Sequence, residues 1–206
     1  MNNSLTEFIH EYINQRQSDF TYLSDKIWEH PETNFKENFS AELLANALEN
    51  EGFVVQRGVG NIETAFIASY GSGHPVIALL GEYDALSGLS QKAGCYEPSP
   101  VIENGNGHGC GHNLLGTAAL AAAFAVKAWL QKNQLLGTVR FYGCQPKKGV
   151  PVKHLWSGMV FLMMLMQQLH GILNHSVVYL MFSLWQISKQ HFISKGLLHT
   201  PPILPT

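Results

Sequence analysis

The sequence predicts an α/β domain with a mixed β-sheet flanked by helices, and three observations carry that prediction. The chain opens with three stretches whose apolar residues recur at helical spacing. Residues 75–80 are a continuous apolar run, the pattern of a strand covered on both faces. An Ala-rich apolar stretch at residues 114–130 has helical length and precedes another short strand pattern.

The elements follow in order. Residues 5–12 and 19–30 place Phe8, Ile9 and Tyr12, then Tyr22, Leu23 and Ile27, on helical faces, and Pro31 stops the second helix. Residues 39–51 form a third helix, with Ser40 near its start and Gly52 at the C′ position. Leu43, Leu44, Ala47 and Leu48 make its buried stripe. Strands are expected at residues 53–56, 63–69 and 75–80, and the Gly71-Ser72-Gly73 turn predicts that the last two pair as a hairpin. Residues 88–106, rich in Gly, Pro and Asn, form a loop. The long helix at 114–130 and a strand at 137–142 complete an order of three helices, three strands, a helix and a strand.

After Cys144 the alternation of helix and strand stops, and no fold is expected for residues 145–206. Met, Gln, His and Leu dominate, and no Asp or Glu follows Glu103. The apolar run 159–166 is too short to span a bilayer, and polar residues such as Gln167, Gln168 and His170 break its extension. The division is therefore 1–144, a domain or a large part of one, and 145–206, a tail.

Composition excludes several classes. A net charge of −2 with 14% charged residues offers no basic surface for nucleic acid. The three cysteines, Cys95, Cys110 and Cys144, are not spaced as a disulfide framework, and the N-terminus lacks a signal-peptide pattern. A cytoplasmic protein is expected, with neither nucleic-acid nor membrane partners.

Chemistry concentrates in Gly105-Asn106-Gly107-His108-Gly109-Cys110-Gly111-His112-Asn113. Three side chains able to bind a metal alternate with glycine, ahead of the apolar helix. Imidazole and thiolate together suit zinc, and manganese or cobalt less strictly. A lone His-x-Cys would be better read as a glycine-rich turn. Here Gly81-Glu82-Tyr83-Asp84-Ala85-Leu86 lies at the end of an apolar strand, and open α/β sheets gather their sites at the carboxyl ends of strands.

Four motifs in this order resemble an aminoacylase-type metallopeptidase, peptidase family M20, in its amidohydrolase branch. They are Ile27-Trp28-Glu29-His30-Pro31-Glu32, the strand end 79–86, Gly107 through Gly116, and Gly137-Thr138-Val139-Arg140-Phe141-Tyr142-Gly143-Cys144. The resemblance implies that 1–144 is the N-terminal part of a zinc-peptidase-like catalytic domain. It implies Cys110 and His112 as metal ligands and Asp84 as a group that orients a ligand or the bridging water. His108 receives no role, and Cys95 and Cys144 read as packing residues. The implied cofactor is a divalent metal, zinc or manganese. The implied substrate is a small N-acyl amino acid such as p-aminobenzoyl-glutamate.

The family mechanism also needs a Glu pair just after the Gly-Cys strand end, the first as base and the second as ligand. Here Gln145-Pro146-Lys147-Lys148 follow, and lysines oppose bound dications. A shifted reading frame accounts for the departure. Joining the third base of each codon to the first two of the next lets residues 145–151 read A-E-E-G-G-S, 169–173 read W-H-P, and 197–205 read A-A-H-A-A-N-S-P-H. Codon freedom makes single matches cheap, but some positions have none. Met159 before Val160 gives Gly, Met163 before Met164 gives Asp, and both Met166 before Gln167 and Trp185 before Gln186 give Ala. All agree with the family pattern. One base lost in or just after the Cys144 codon would leave 145–206 as out-of-frame translation. The expectation is a truncated form, inactive and without the family's dimerisation domain. Two readings compete: an active hydrolase whose apparent defect is an error in the read sequence, which resequencing separates, and a non-enzymatic binding fragment or a membrane-associated one built on 159–187.

Overall fold

The computed structural model describes residues 3–144; the expectations for the tail lie outside the described residues. Three helices come first, α1 (Asn3–Gln15), α2 (Gln17–Glu29) and α3 (Asn38–Asn50). Strand β1 (Val54–Arg57), a 3-10 turn (Val59–Asn61), β2 (Phe66–Ser72) and β3 (Val76–Gly81) come next. Helix α4 (His112–Lys132) and strand β4 (Gly137–Gly143) complete the set. The sheet is mixed, in the order β1-β2-β4-β3, with β3 and β4 parallel and the other pairs antiparallel.

The predicted hairpin between the second and third strands does not form. Strand β4 lies between them, pairing with β2 from Phe66↔Gly143 to Ser72↔Gly137 and with β3 from Val76↔Thr138 to Gly81↔Gly143. The Gly73-His74-Pro75 link therefore crosses two strand spacings, about 10 Å, which three extended residues can cover. It passes over the start of β4, where Thr138 Oγ1 donates to the Gly73 carbonyl at 2.9 Å and Thr138 N to the Pro75 carbonyl at 2.9 Å. The turn glycines are real, but they bridge a gap that β4 fills. The same residues explain why β2 ends three residues later than predicted, since Gly71 and Ser72 pair with β4.

All four helices share one core with the sheet. Phe66, Ala68, Leu79, Val139 and Phe141 pack against Ile27, Leu44, Leu48, Leu120 and Phe124. Helix α4 is long and apolar enough to cross a membrane by length and composition, yet its alanines at 119, 121, 122 and 123 are buried in this core. Polar ties fix the helices: Glu51 accepts from Arg16 at 2.8 Å and from Lys127 at 3.3 Å, linking the ends of α1 and α3 to α4. Asn113, fully buried, donates to Ser24 Oγ at 3.1 Å and joins α4 to α2.

Candidate metal centre

The centre is built where β3 ends. Tyr83, fully buried, sends its hydroxyl to the Thr64 carbonyl, while Glu82 and Asp84, at alternate positions of an extended segment, share the other side. Two loops brace this segment. The Glu32 carbonyl accepts from Ala85 N at 2.7 Å, and Leu86 and Gly107 exchange backbone hydrogen bonds at 2.9 Å. That exchange returns the chain from its long excursion and sets residues 107–112 beside 82–86. The Ile27-to-Glu32 motif thus positions the site from behind: Asn106 Nδ2 donates to the Pro31 carbonyl at 2.9 Å and His108 Nε2 to the Ile27 carbonyl at 3.0 Å.

Helix α4 begins at His112, two residues before its predicted start. Gly111 takes φ 73°, a left-handed turn that glycine allows without strain, and so aims the helix at the strand end. At Gly116 a Cβ would stand 2.7 Å from the Glu82 carbonyl oxygen. Glycine there lets the first turns of α4 lie directly against the site segment.

The buried His112 imidazole meets a carboxylate at each nitrogen. Its Nδ1 donates to Asp84 Oδ1 at 2.7 Å, and its Nε2 lies 3.2 Å from Glu82 Oε2. Burial disfavours the imidazolium, but the Asp84 hydrogen bond and the charges of Asp84 and Glu82 prevail and raise its pKa. Glu82 is itself pushed up by burial, with the neighbouring imidazole pulling against it and Asp84 adding to it. The Cys110 thiol is raised by burial and then by Asp84 and Glu82, so it stands as a thiol when no ion is bound. Burial, with the same two carboxylates behind it, pushes Cys144 up to about 11.

Of the residues singled out from sequence, Asp84 and His112 come into direct contact. Cys110 is exposed and stands outside the tight cluster, whose ligand atoms on Glu82, Asp84 and His112 all lie within 4.8 Å of one another. Sequence reasoning misses Glu82 as a site residue. Its signal is the Glu-x-Asp alternation at a strand end, which puts both carboxylates on one side. His108 packs against the end of α2, with a buried Nδ1 that has no hydrogen-bond partner.

The donor set fits a divalent cation. A carboxylate on Nδ1 is the usual way a protein orients a histidine so that Nε2 can ligate. Imidazole with carboxylate oxygens suits zinc or manganese.

A mixed sheet backed by helices thus carries a histidine hydrogen-bonded to an aspartate at a strand end. No family model matches the chain. Bacillus subtilis YXEP, described as a dinuclear metal binding peptidase from the M20 family, superposes with a TM-score of 0.50 at 26% identity, covering 75% of this chain and 40% of that one. A candidate aminohydrolase from methicillin resistant Staphylococcus aureus gives a TM-score of 0.56 at 24% identity over 73% of this chain and 36% of that one, and shows the same fold. In sequence the chain is 62% identical over 142 residues to a subunit of the p-aminobenzoyl-glutamate hydrolase of Escherichia coli K12. Over that stretch it is similar to aminohydrolases and peptidases of the M20 type. The match takes in 69% of this chain and 30% of the length of that relative.

Proposed function

We propose that residues 1–144 are the metal-binding part of an amidohydrolase acting on an N-acyl amino acid of the p-aminobenzoyl-glutamate kind, and that this 206-residue chain is itself inactive. The observation carrying the first half is the Asp84–His112 hydrogen bond at 2.7 Å, which leaves Nε2 directed toward Glu82 at the strand end. The name of the 62% identical relative supports the substrate class.

The residues divide the work. His112 and Cys110 would hold a divalent ion, zinc or manganese. When bound, that ion supplies Lewis acidity toward an amide carbonyl and lowers the pKa of water. Asp84 fixes the imidazole's tautomer and direction. Gly111 and Gly116 hold these groups on the end of a rigid helix.

The second half rests on the residues after Cys144. Gln145-Pro146-Lys147-Lys148 supply neither a base to take a proton from water nor an anionic ligand. A lost base at that codon is part of the proposal, as are the tail's lack of a domain and a cytoplasmic location. Purified, sequence-verified chain is expected to release no p-aminobenzoate from p-aminobenzoyl-glutamate with zinc or manganese present. A gene read in the alternative frame after Cys144 is expected to do so. Turnover by the unaltered chain would overturn the inactivity, and stop codons in the alternative frame would end the frame hypothesis.

A further inference from the structure

We propose that Glu82 is a ligand of the same divalent ion as His112. The proposal rests on the metal reading above and extends it to a residue outside the Cys110 and His112 pair.

The imidazole has two nitrogens, and Asp84 occupies one of them. Asp84 is almost wholly enclosed, with 2% of its side chain exposed, and its Oδ1 is committed to Nδ1 at 2.7 Å. An ion ligated by His112 must therefore approach Nε2. The oxygen facing that nitrogen is Glu82 Oε2, at 3.2 Å. Two donors held on one tetrahedral zinc at about 2.0–2.1 Å stand about 3.3 Å apart. The existing separation thus admits an ion bound to both atoms with little movement of either.

Exposure separates the two carboxylates in the same sense. Glu82 keeps 28% of its side chain open to solvent, so an ion can reach it from outside. Its backbone is pinned: the Glu82 carbonyl lies against Gly116 of α4, and the flanking Tyr83 is locked into the core. A carboxylate on a fixed backbone, directed at the open nitrogen of an oriented histidine, is arranged for ligation. One consequence concerns the chain as it stands. With Glu82 the protein supplies a carboxylate ligand from within residues 3–144, without the acidic pair absent after Cys144.

The test uses the full, metal-free chain titrated with cobalt(II), followed by visible absorption and calorimetry, with wild type, E82Q, E82D and H112A compared. Wild type is expected to bind cobalt, and H112A to lose binding. E82Q, which keeps the side chain's size without its charge, is expected to bind at least about tenfold more weakly with an altered d–d spectrum. E82D is expected to recover part of the affinity. In the infrared, cobalt should shift a carboxylate stretch of the wild type that is missing in E82Q. If E82Q binds as tightly as wild type with the same spectrum, Glu82 is not a ligand and the metal reading stands. If wild type binds no cobalt, both fail. Circular dichroism checks that E82Q is folded, and if it is not, loss of the infrared shift in a folded E82D overturns the assignment.

Discussion

His108 and His112 stand on one glycine-rich turn under opposite electrostatic demands. Burial holds His108 down to about 4, with the Ile27 carbonyl opposing and His112 adding to the effect. His112 is raised instead, because Asp84 and Glu82 outweigh its burial. The signs of their linkage to stability differ. His112 contributes stability that is present below the ordinary histidine pKa and is lost as pH rises through its raised value. His108 is kept neutral in the fold, so between about pH 6.5 and 4 the unfolded chain takes up a proton that the folded chain refuses. Its contribution is lost as pH falls through that window, on the order of 3 kcal/mol in all. The variant H108L is expected to show a flatter decline of melting temperature from about pH 7 to pH 4. Equal slopes in variant and wild type would contradict this. At this scale the sequence was half legible. That Asp84 and His112 lie together follows the order of the motifs that carry them. The approach of Glu82 to Nε2 at 3.2 Å could not be read, because it depends on which imidazole nitrogen Asp84 takes, and only the packed structure decides that.

Among the elements, α3 shows how a long-range contact can replace a local one. Its start has no capping side chain of its own. Glu32 reaches in from the preceding loop and accepts from Phe39 N at 3.0 Å, Ser40 N at 2.9 Å and Ser40 Oγ at 2.8 Å. A carboxylate at a helix N-terminus satisfies open N–H groups and favours the dipole. E32A is expected to cost about 1–2 kcal/mol of stability, read as a lower melting temperature. E32Q should lose less, because its amide oxygen still accepts. Equal losses in the two would point to charge rather than hydrogen bonding. The helix itself was legible from apolar spacing, as was Gly52 just beyond its end. The remote cap was not, since nothing local distinguishes a capping Glu from a solvated one. The mistaken hairpin has the same origin: a glycine turn is read as joining neighbours, whereas the partner of β2 is a strand far downstream, with Phe66 opposite Gly143.

For the molecule as a whole, the sheet is covered on one face by the described residues. The opposite face carries a cross-strand row of Ile67, Tyr142 and Leu80, set by the register of β2, β4 and β3. Val76 and Leu80 are each 41% exposed, and β3 has no partner on its outer edge among the described residues. The apolar run at 75–80 is the pattern of a strand covered on both sides. That pattern suits a larger fold, in keeping with a match to 30% of the relative's length. An apolar face beside an open edge promotes association. The full chain is therefore expected to elute as assemblies larger than a monomer, and the double variant V76T/L80T to shift toward monomer, by size exclusion with light scattering. A monomeric wild type would contradict the expectation.

The position of β4 also governs how such a sheet is assembled on the ribosome. This inner strand is the last of the four to be synthesised, so a nascent chain halted before residue 137 holds a two-stranded ribbon and a lone strand with nothing to join them. Residues 137–143 supply the strand that joins β2 to β3. On the reading-frame proposal, the departure at Cys144 falls one residue after the end of β4. On that proposal all four described strands precede the departure.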